Sequence, residues 1–151
     1  MDYTFIKELL LLNYKKLKAK QEEELNSFSK SNIIVILEFT KEKALAKLEA
    51  EGLTVEDVVD LGAGLYLKKE AVPEYNELIK KHNKEFHEYF FNNVYEVIKY
   101  EAANYEMEIS LSYSYDEFLN IIGLSDEEIT DNKVEINKAI TDYKKEFYEL
   151  N

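Results

Sequence analysis

Apolar residues recur at helical spacing along most of this chain, and this pattern limits the folds that the chain can adopt. In the last segment the apolar residues advance by four, three, four and three positions, at Ile136, Ile140, Tyr143, Phe147 and Leu150. Such steps place an apolar stripe on one face of a helix. Similar stripes predict helices over residues 3–28, 41–51 (capped by Thr40) and 73–105, and the last either bends near Asn93 or divides there into two.

Residues that commonly begin and end helices mark two shorter segments. Ser114 with Glu117 and Ser125 with Glu128 have the spacing of capping boxes, so we expect two further helices ahead of the last one. Gly123 falls between them and is expected to end the first, because a helix often closes on a glycine.

Short stretches between the helices have the composition of strands. Residues 33–39 are rich in β-branched side chains, and we expect a strand that is buried on both faces for most of its length. Residues 65–67 predict a second strand, and the alternation of residues 107–113 predicts a third. Gly62-Ala63-Gly64 lacks the remaining residues of a phosphate loop, so it is expected to form a turn with positive φ.

These elements together predict an α+β fold. We expect a mostly helical single domain over residues 1–151, with about six helices and a small antiparallel sheet of two or three strands.

Composition excludes several functional classes. The chain has no Cys, which removes disulfides, thiolate zinc sites and cysteine nucleophiles. All 19 basic residues are Lys, and the absence of Arg counts against phosphoryl chemistry. The apolar run at residues 9–12 is too short for a signal core or a membrane span, and no basic segment precedes it. We therefore expect a cytoplasmic protein that does not enter a membrane.

Net charge favours a basic partner. The chain carries −12 overall, and residues 111–151 contain ten acids against four lysines. Such a surface repels nucleic acid and anionic membrane, and it attracts a positively charged protein surface. Negative charge that only keeps the protein soluble is the alternative explanation.

Acidic and tyrosine residues cluster after residue 100, and we expect them to form a protein-binding surface. Tyrosine, of which the chain has 12, is enriched at protein interfaces. No catalytic motif or cofactor fingerprint accompanies them, so the expected function is non-enzymatic and needs no cofactor. The candidate residues are Glu101, Tyr105, Glu106, Glu108, Tyr113, Tyr115, Asp126, Glu127 and Glu128.

Two other functions remain open. Glu101, Glu106 and Glu108 could bind a cation or perform acid–base chemistry, because paired carboxylates serve both roles. His82 and His87 are five residues apart, about 140° around a helix, so they cannot hold one metal from a single helix face. We expect His82 to be packed in the core and His87 to be solvated. The third possibility is a homo-oligomeric accessory protein, for instance a homodimer joined through the N-terminal helix at residues 9–12.

Three stretches of the chain resemble a family of small uncharacterised proteins from bacteria and their phages. They are residues 36–42, 61–69 and 100–106, the last followed by Tyr113 and a helix over 118–124. A His often stands in that family where this chain has Tyr105, so a family site that used the His would be missing here. The resemblance implies a mobile-element setting and no mechanism.

The leading hypothesis is therefore an acidic binding module of a phage or mobile element. Its sharper form is an inhibitor of a host nucleic-acid-binding protein, such as a CRISPR effector, in which acidic helices take the place of the phosphate backbone.

Overall fold

In a computed structural model, the backbone is described for residues 3–105 and 115–150, and the side chains for residues 13–105 and 115–147. Over the described backbone the chain forms seven α-helices, three strands and two short 3-10 helices. The helices and strands are α1 (Tyr3–Asn32), β1 (Ile33–Val35), α2 (Lys41–Ala50), β2 (Val58–Gly62), β3 (Leu65–Lys68), α3 (Val72–Asn92), α4 (Val94–Asn104), α5 (Tyr115–Ile121), α6 (Asp126–Asp131) and α7 (Lys133–Leu150).

These elements confirm the predicted α+β fold, mostly helical with one small antiparallel sheet. The chain divides into two compact units, one of residues 18–85 and one of residues 1–17 together with 86–151. The expected single domain over residues 1–151 stays a prediction.

The sheet lies in residues 18–85 and has the strand order β1-β3-β2, with both pairings antiparallel. Its third strand, β2, follows a 3-10 turn that the Thr54–Asp57 capping box begins. The sequence analysis predicted no strand at residues 58–62, so it missed β2. The strand predicted at residues 107–113 lies outside the described residues.

Helices cover both faces of this sheet. On one face Leu67 is 1% exposed and packs with Phe28 of α1 and Ala71. On the other face Val58 packs with Leu48 of α2, which is 1% exposed. Burying one such leucine stabilises the fold by about 1.5–3 kcal/mol. The strands are short, so their stability depends on these helices.

The first strand is shorter and more exposed than predicted. It ends at Val35, and the next amide, that of Ile36, donates a 2.7 Å hydrogen bond to the carbonyl of Gly64. Ile36 is buried, but Val35, Leu37 and Phe39 are 61%, 76% and 105% exposed. The prediction of a strand over residues 33–39, buried on both faces for most of its length, was therefore wrong, because the chain leaves the sheet after three residues.

The first helix continues past the polar residues that were expected to end it. Ser29 Oγ donates to the carbonyl of Leu25, and Asn32 Nδ2 donates to that of Phe28. Because these side chains bond back to the preceding turn, the polar segment is compatible with the helix.

Helices α3 and α4 meet at Asn93, as the sequence indicated. The Asn93 side chain donates to the carbonyl of Tyr89, and its own carbonyl accepts the amide of Val97. Two more helix limits are confirmed: Gly123 follows α5 with φ +92°, and the Ser125–Glu128 capping box begins α6. Ser114 lies outside the described residues.

The core of residues 1–17 and 86–151 is formed mainly by α4, α5 and α7. Helix α4 packs along α7, whose predicted stripe is confirmed at its buried residues. Leu150 lies outside the described side chains. The fully buried positions, each at most 1% exposed, are Phe90, Val97, Ile98, Ala102, Phe118, Leu119, Ile136 and Ala139.

Gly64 packs so closely that a side chain there should disrupt the turn. Its φ is +81°, and a Cβ would lie 2.5 Å from the Ile36 carbonyl oxygen. Gly52 has a similar φ of +78° with no atom within 4 Å of the same position. We expect Gly52→Ala to lower the free energy of unfolding by about 1–2 kcal/mol, and Gly64→Ala to lower it by about 1–3 kcal/mol more. Urea unfolding measures both, and equal losses would contradict the close contact.

Candidate functional site

Glu101, the first of the predicted protein-binding residues, is buried. It is 4% exposed, and its Oε1 accepts a hydrogen bond from the Tyr14 hydroxyl at 3.2 Å. The Tyr14 ring stacks on Tyr89 and meets Tyr100 edge-on. Burial, and then the Glu101 carboxylate, raise the pKa of the Tyr14 hydroxyl. Glu101 therefore does not lie on the surface as predicted, because it stands one turn after Val97 on the core-facing side of α4.

Tyr105 is half-buried at the end of α4. Its ring meets that of Phe118 edge-on, with 6.1 Å between the ring centroids. Tyr105 thus packs against a core aromatic ring. Glu106, Glu108 and Tyr113 lie outside the described residues, so the carboxylate cluster proposed with Glu101 is not brought together in the described part.

Tyr115 begins α5 and is 37% exposed, as predicted for a binding residue. Its hydroxyl donates a 2.5 Å hydrogen bond to Asn137 Oδ1. Burial, and then the neighbouring Asp116 carboxylate, raise the pKa of the Tyr115 hydroxyl. This bond joins the start of α5 to α7, one turn after the 83% exposed Val134.

Asp126 and Glu127 are exposed in the first turn of α6, as predicted, and other carboxylates extend this surface. Residues 115–136 contain seven acids and one lysine. Six of the seven acids are exposed, and these six form what we name the acidic surface: Asp116, Glu117, Asp126, Glu127, Asp131 and Glu135.

Glu128, the seventh acid, is engaged within the protein. Its Oε2 lies 2.8 Å from Nδ1 of His87, and its Oε1 accepts the amide of Ser125 at 3.0 Å. The Glu128 amide in turn donates to Ser125 Oγ at 3.2 Å. His87, which was expected to be solvated, is 40% exposed but paired. Glu128 therefore ties α3 to the start of α6.

These contacts shift the ionisation of Glu128. Burial acts to raise the pKa of its carboxyl, but the hydrogen bonds from Ser125 and His87 outweigh burial and hold the pKa below its usual value. The carboxylate is thus favoured in the folded protein.

Large apolar side chains are exposed beside β1. Val35, Leu37 and Phe39 alternate with the more buried Ile36 and Glu38 and point away from the core of residues 18–85. We name these three residues the apolar row. Contiguous exposed apolar groups commonly mark interaction sites.

Glu24 of α1 and His82 and Glu85 of α3 are the groups best placed to hold a metal among the described residues. One ligand atom from each lies within 4.8 Å of the others. The His82 side chain is 12% exposed, and those of Glu24 and Glu85 are each 24% exposed. His82 is half-buried, whereas the sequence analysis expected it to be packed in the core. Its spacing of three from Glu85 signals a shared helix face, but nothing in the sequence places the distant Glu24 beside them.

Residues 13–146 match a family of unknown function, DUF7659, and the chain belongs to this family. This confirms membership of an uncharacterised family. No curated protein and no solved structure is detectably similar to the chain. In the described part of the chain, no helix has an apolar stretch that would cross a lipid bilayer.

Loss of charge at Glu128 should change how stability depends on pH. Its folded pKa is lowered, so its contribution is complete above the unfolded value of about 4.3 and is lost as the pH falls through the folded pKa. We expect Glu128→Gln, which retains a capping side chain, to destabilise the protein at neutral pH and to lose this difference near pH 3. Urea unfolding at both values measures it.

Glu127→Gln is the matched control, because Glu127 lies on the same turn and outside the capping box. A difference between wild type and Glu128→Gln that is the same at both pH values would contradict the role of the ionised carboxylate.

Proposed function

We propose that this protein is a non-enzymatic binding module that holds a basic protein surface in the cytoplasm through its acidic surface. The observation that carries the proposal is the run of seven acids and one lysine over residues 115–136, six of whose acids are exposed.

Negative charge is unevenly divided along the chain. Residues 1–17 and 86–151 together contain 17 acids and 8 lysines, a net charge of −9. Residues 18–85 contain 14 acids and 11 lysines, a net charge of −3. Charge that served only solubility would have no reason to be concentrated in one unit, whereas a concentrated field accelerates association with an oppositely charged partner.

Groups beside these carboxylates suit a protein partner. Tyr115 and Val134 expose apolar area near Asn137, which can accept or donate hydrogen bonds. An interface typically combines such contact area with a charged rim. A partner rich in Lys and Arg would supply the cations that residues 115–136 lack.

Inhibition of a nucleic-acid-binding protein is the sharper form of the proposal. A protein that binds phosphates already presents lysines and arginines to a regular series of negative charges. Exposed carboxylates on three successive helices could occupy that surface in place of DNA or RNA. The resemblance to proteins of bacteria and phages supports a mobile-element setting, in which a CRISPR effector is one such target.

Neutralising the acidic surface should abolish capture of a partner. We expect the immobilised wild-type protein to retain a basic protein from a bacterial lysate at about 0.1 M salt. Salt at about 1 M should release this protein, because the Debye length falls from about 10 to 3 Å. The triple variant Asp126→Asn, Glu127→Gln, Asp131→Asn should retain at least tenfold less of it. Excess duplex DNA should compete with the wild type if the partner binds nucleic acid.

The matched control is Glu42→Gln, Glu49→Gln, Glu51→Gln, which removes the same charge from exposed positions on and just after α2. It should bind like the wild type. Equal loss in both triple variants would show that net charge alone matters, and capture that is unaffected by salt would contradict the electrostatic basis.

Self-association is a second candidate function, and the apolar row favours it. β1 is an edge strand, so in the described part of the chain it pairs with another strand, β3, on one side only. An edge strand that meets its own copy around a two-fold axis needs no complementary surface elsewhere. The homodimer predicted from the sequence would form through residues 9–12, whose side chains lie outside the described residues. The apolar row would be a different dimer interface.

Replacement of Leu37 and Phe39 by serine should convert any dimer to a monomer. Phe91→Ser is the control, because Phe91 is 81% exposed and lies outside the apolar row. Light scattering over a range of protein concentrations measures the mass. A wild-type protein that stays monomeric at about 1 mM would rule out self-association of useful strength.

A further inference from the structure

Two buried side-chain atoms, one on α1 and one on α3, have no hydrogen-bond partner. They are Oε1 of Glu24 and Nε2 of His82. The second carboxylate oxygen of Glu24 lies 3.6 Å from the same His82 nitrogen, which is too far for a hydrogen bond. Buried polar atoms are nearly always hydrogen-bonded, so such a pair is unusual unless it has a function.

Glu85 adds a third possible metal ligand close to these atoms. It lies one helical turn after His82, and its Oε1 is held at 3.5 Å by Gln21 Nε2. The same Gln21 nitrogen donates to the main-chain carbonyl of His82 at 3.1 Å. Gln21 therefore fixes the turn of α3 that carries both donors, as outer groups commonly do around a metal.

We propose that Glu24, His82 and Glu85 form a binding site for a divalent transition-metal cation of the zinc class. One imidazole nitrogen and two carboxylates are ligands that zinc accepts, and three protein ligands leave a fourth position for water. The nitrogen donor disfavours calcium and magnesium, which prefer oxygen ligands only. The site is independent of the proposed binding function.

Two lysines compete with a cation for these carboxylates. Lys81 Nζ lies 2.6 Å from Glu24 Oε2, and Lys20 Nζ lies 3.6 Å from Glu85 Oε2 and 3.9 Å from Glu24 Oε1. Their side chains are 50% and 61% exposed, and exposed ion pairs contribute little to stability. A dication between two carboxylates and a neutral imidazole gives zero net charge. The lysines can move into solvent to admit it.

The ligand atoms lie within 4.8 Å of one another, whereas bonds of about 2.0 Å to a tetrahedral zinc require closer spacing. Rotation of the partly exposed glutamate side chains brings the atoms together. A bound cation would then join α1 to α3 within residues 18–85 and stabilise the folded form in proportion to its concentration over its Kd.

Calorimetry of the full chain with Zn²⁺ tests the proposal, with Mg²⁺ and Ca²⁺ titrated in parallel. We expect one equivalent of Zn²⁺ to bind and to raise the melting temperature, with at least tenfold weaker binding of the other two. Substitution with Co²⁺ should give the visible absorption of a nitrogen-coordinated ion.

Variants separate this site from the other acids of the chain. His82→Gln should weaken Zn²⁺ binding at least tenfold, whereas His87→Gln should leave it unchanged. Lys81→Met should strengthen Zn²⁺ binding severalfold, because it removes a cation that competes for Glu24. If His82→Gln proves unstable, Lys81→Met still tests the site, because it leaves the helix packing intact. Binding that His82→Gln does not weaken, binding that Lys81→Met does not strengthen, or no binding by the wild type at about 100 µM Zn²⁺ would overturn the proposal.

Discussion

The fold of residues 18–85 depends on the approach of the Ile36 carbonyl to Gly64. Only a residue without a Cβ allows the hairpin turn to reach this backbone, and the Ile36 amide then bonds the Gly64 carbonyl at 2.7 Å. This contact fixes β1 against β3, which lets one set of side chains pack on α1 and the other on α2. It also ends the strand, so Leu37 and Phe39 emerge into solvent. The Gly64 contact thus lies where the buried part of this segment ends and its exposed apolar residues begin.

Much of this architecture could be predicted from local sequence patterns. The α7 stripe, the Thr40 and Ser125 caps and the division at Asn93 are effects of neighbouring residues, and the structure confirms them. The misassignments have non-local causes. The sequence does not identify β2 as a strand, because that assignment depends on its pairing with β3. Residues 33–39 were predicted to be a buried strand because the sequence does not show where a partner strand ends.

Carboxylates in this chain have three different environments, and the sequence alone did not separate them. Glu101 lies in the core with Tyr14, Glu128 completes a cap beside His87, and Asp126 is open to solvent. All three belong to acid-rich segments of similar composition. Helical phase explains Glu101 in retrospect, because the neighbouring apolar positions define the buried face of α4. The pairing of Glu128 with His87 requires contact between distant helices, and no spacing rule gives it.

The absence of arginine sets an upper limit to the alkalinity that this fold tolerates. Apart from the histidines, the basic members of the described ion pairs are lysines, which lose their protons at high pH. One of them is Lys81 beside Glu24, although the Glu24 hydrogen bond raises the pKa of Lys81. Tyr14 and Tyr95 are held protonated by burial and by the neighbouring carboxylates, so both of their pKa values are raised. In an unfolded chain a tyrosine has a pKa of about 10 and a lysine one of about 10.4, so both lose their protons in the same pH range. Above this pH range the unfolded chain releases tyrosine protons that the folded protein retains, so the free energy of unfolding falls. The net charge, −12 at pH 7, becomes still more negative at the same time.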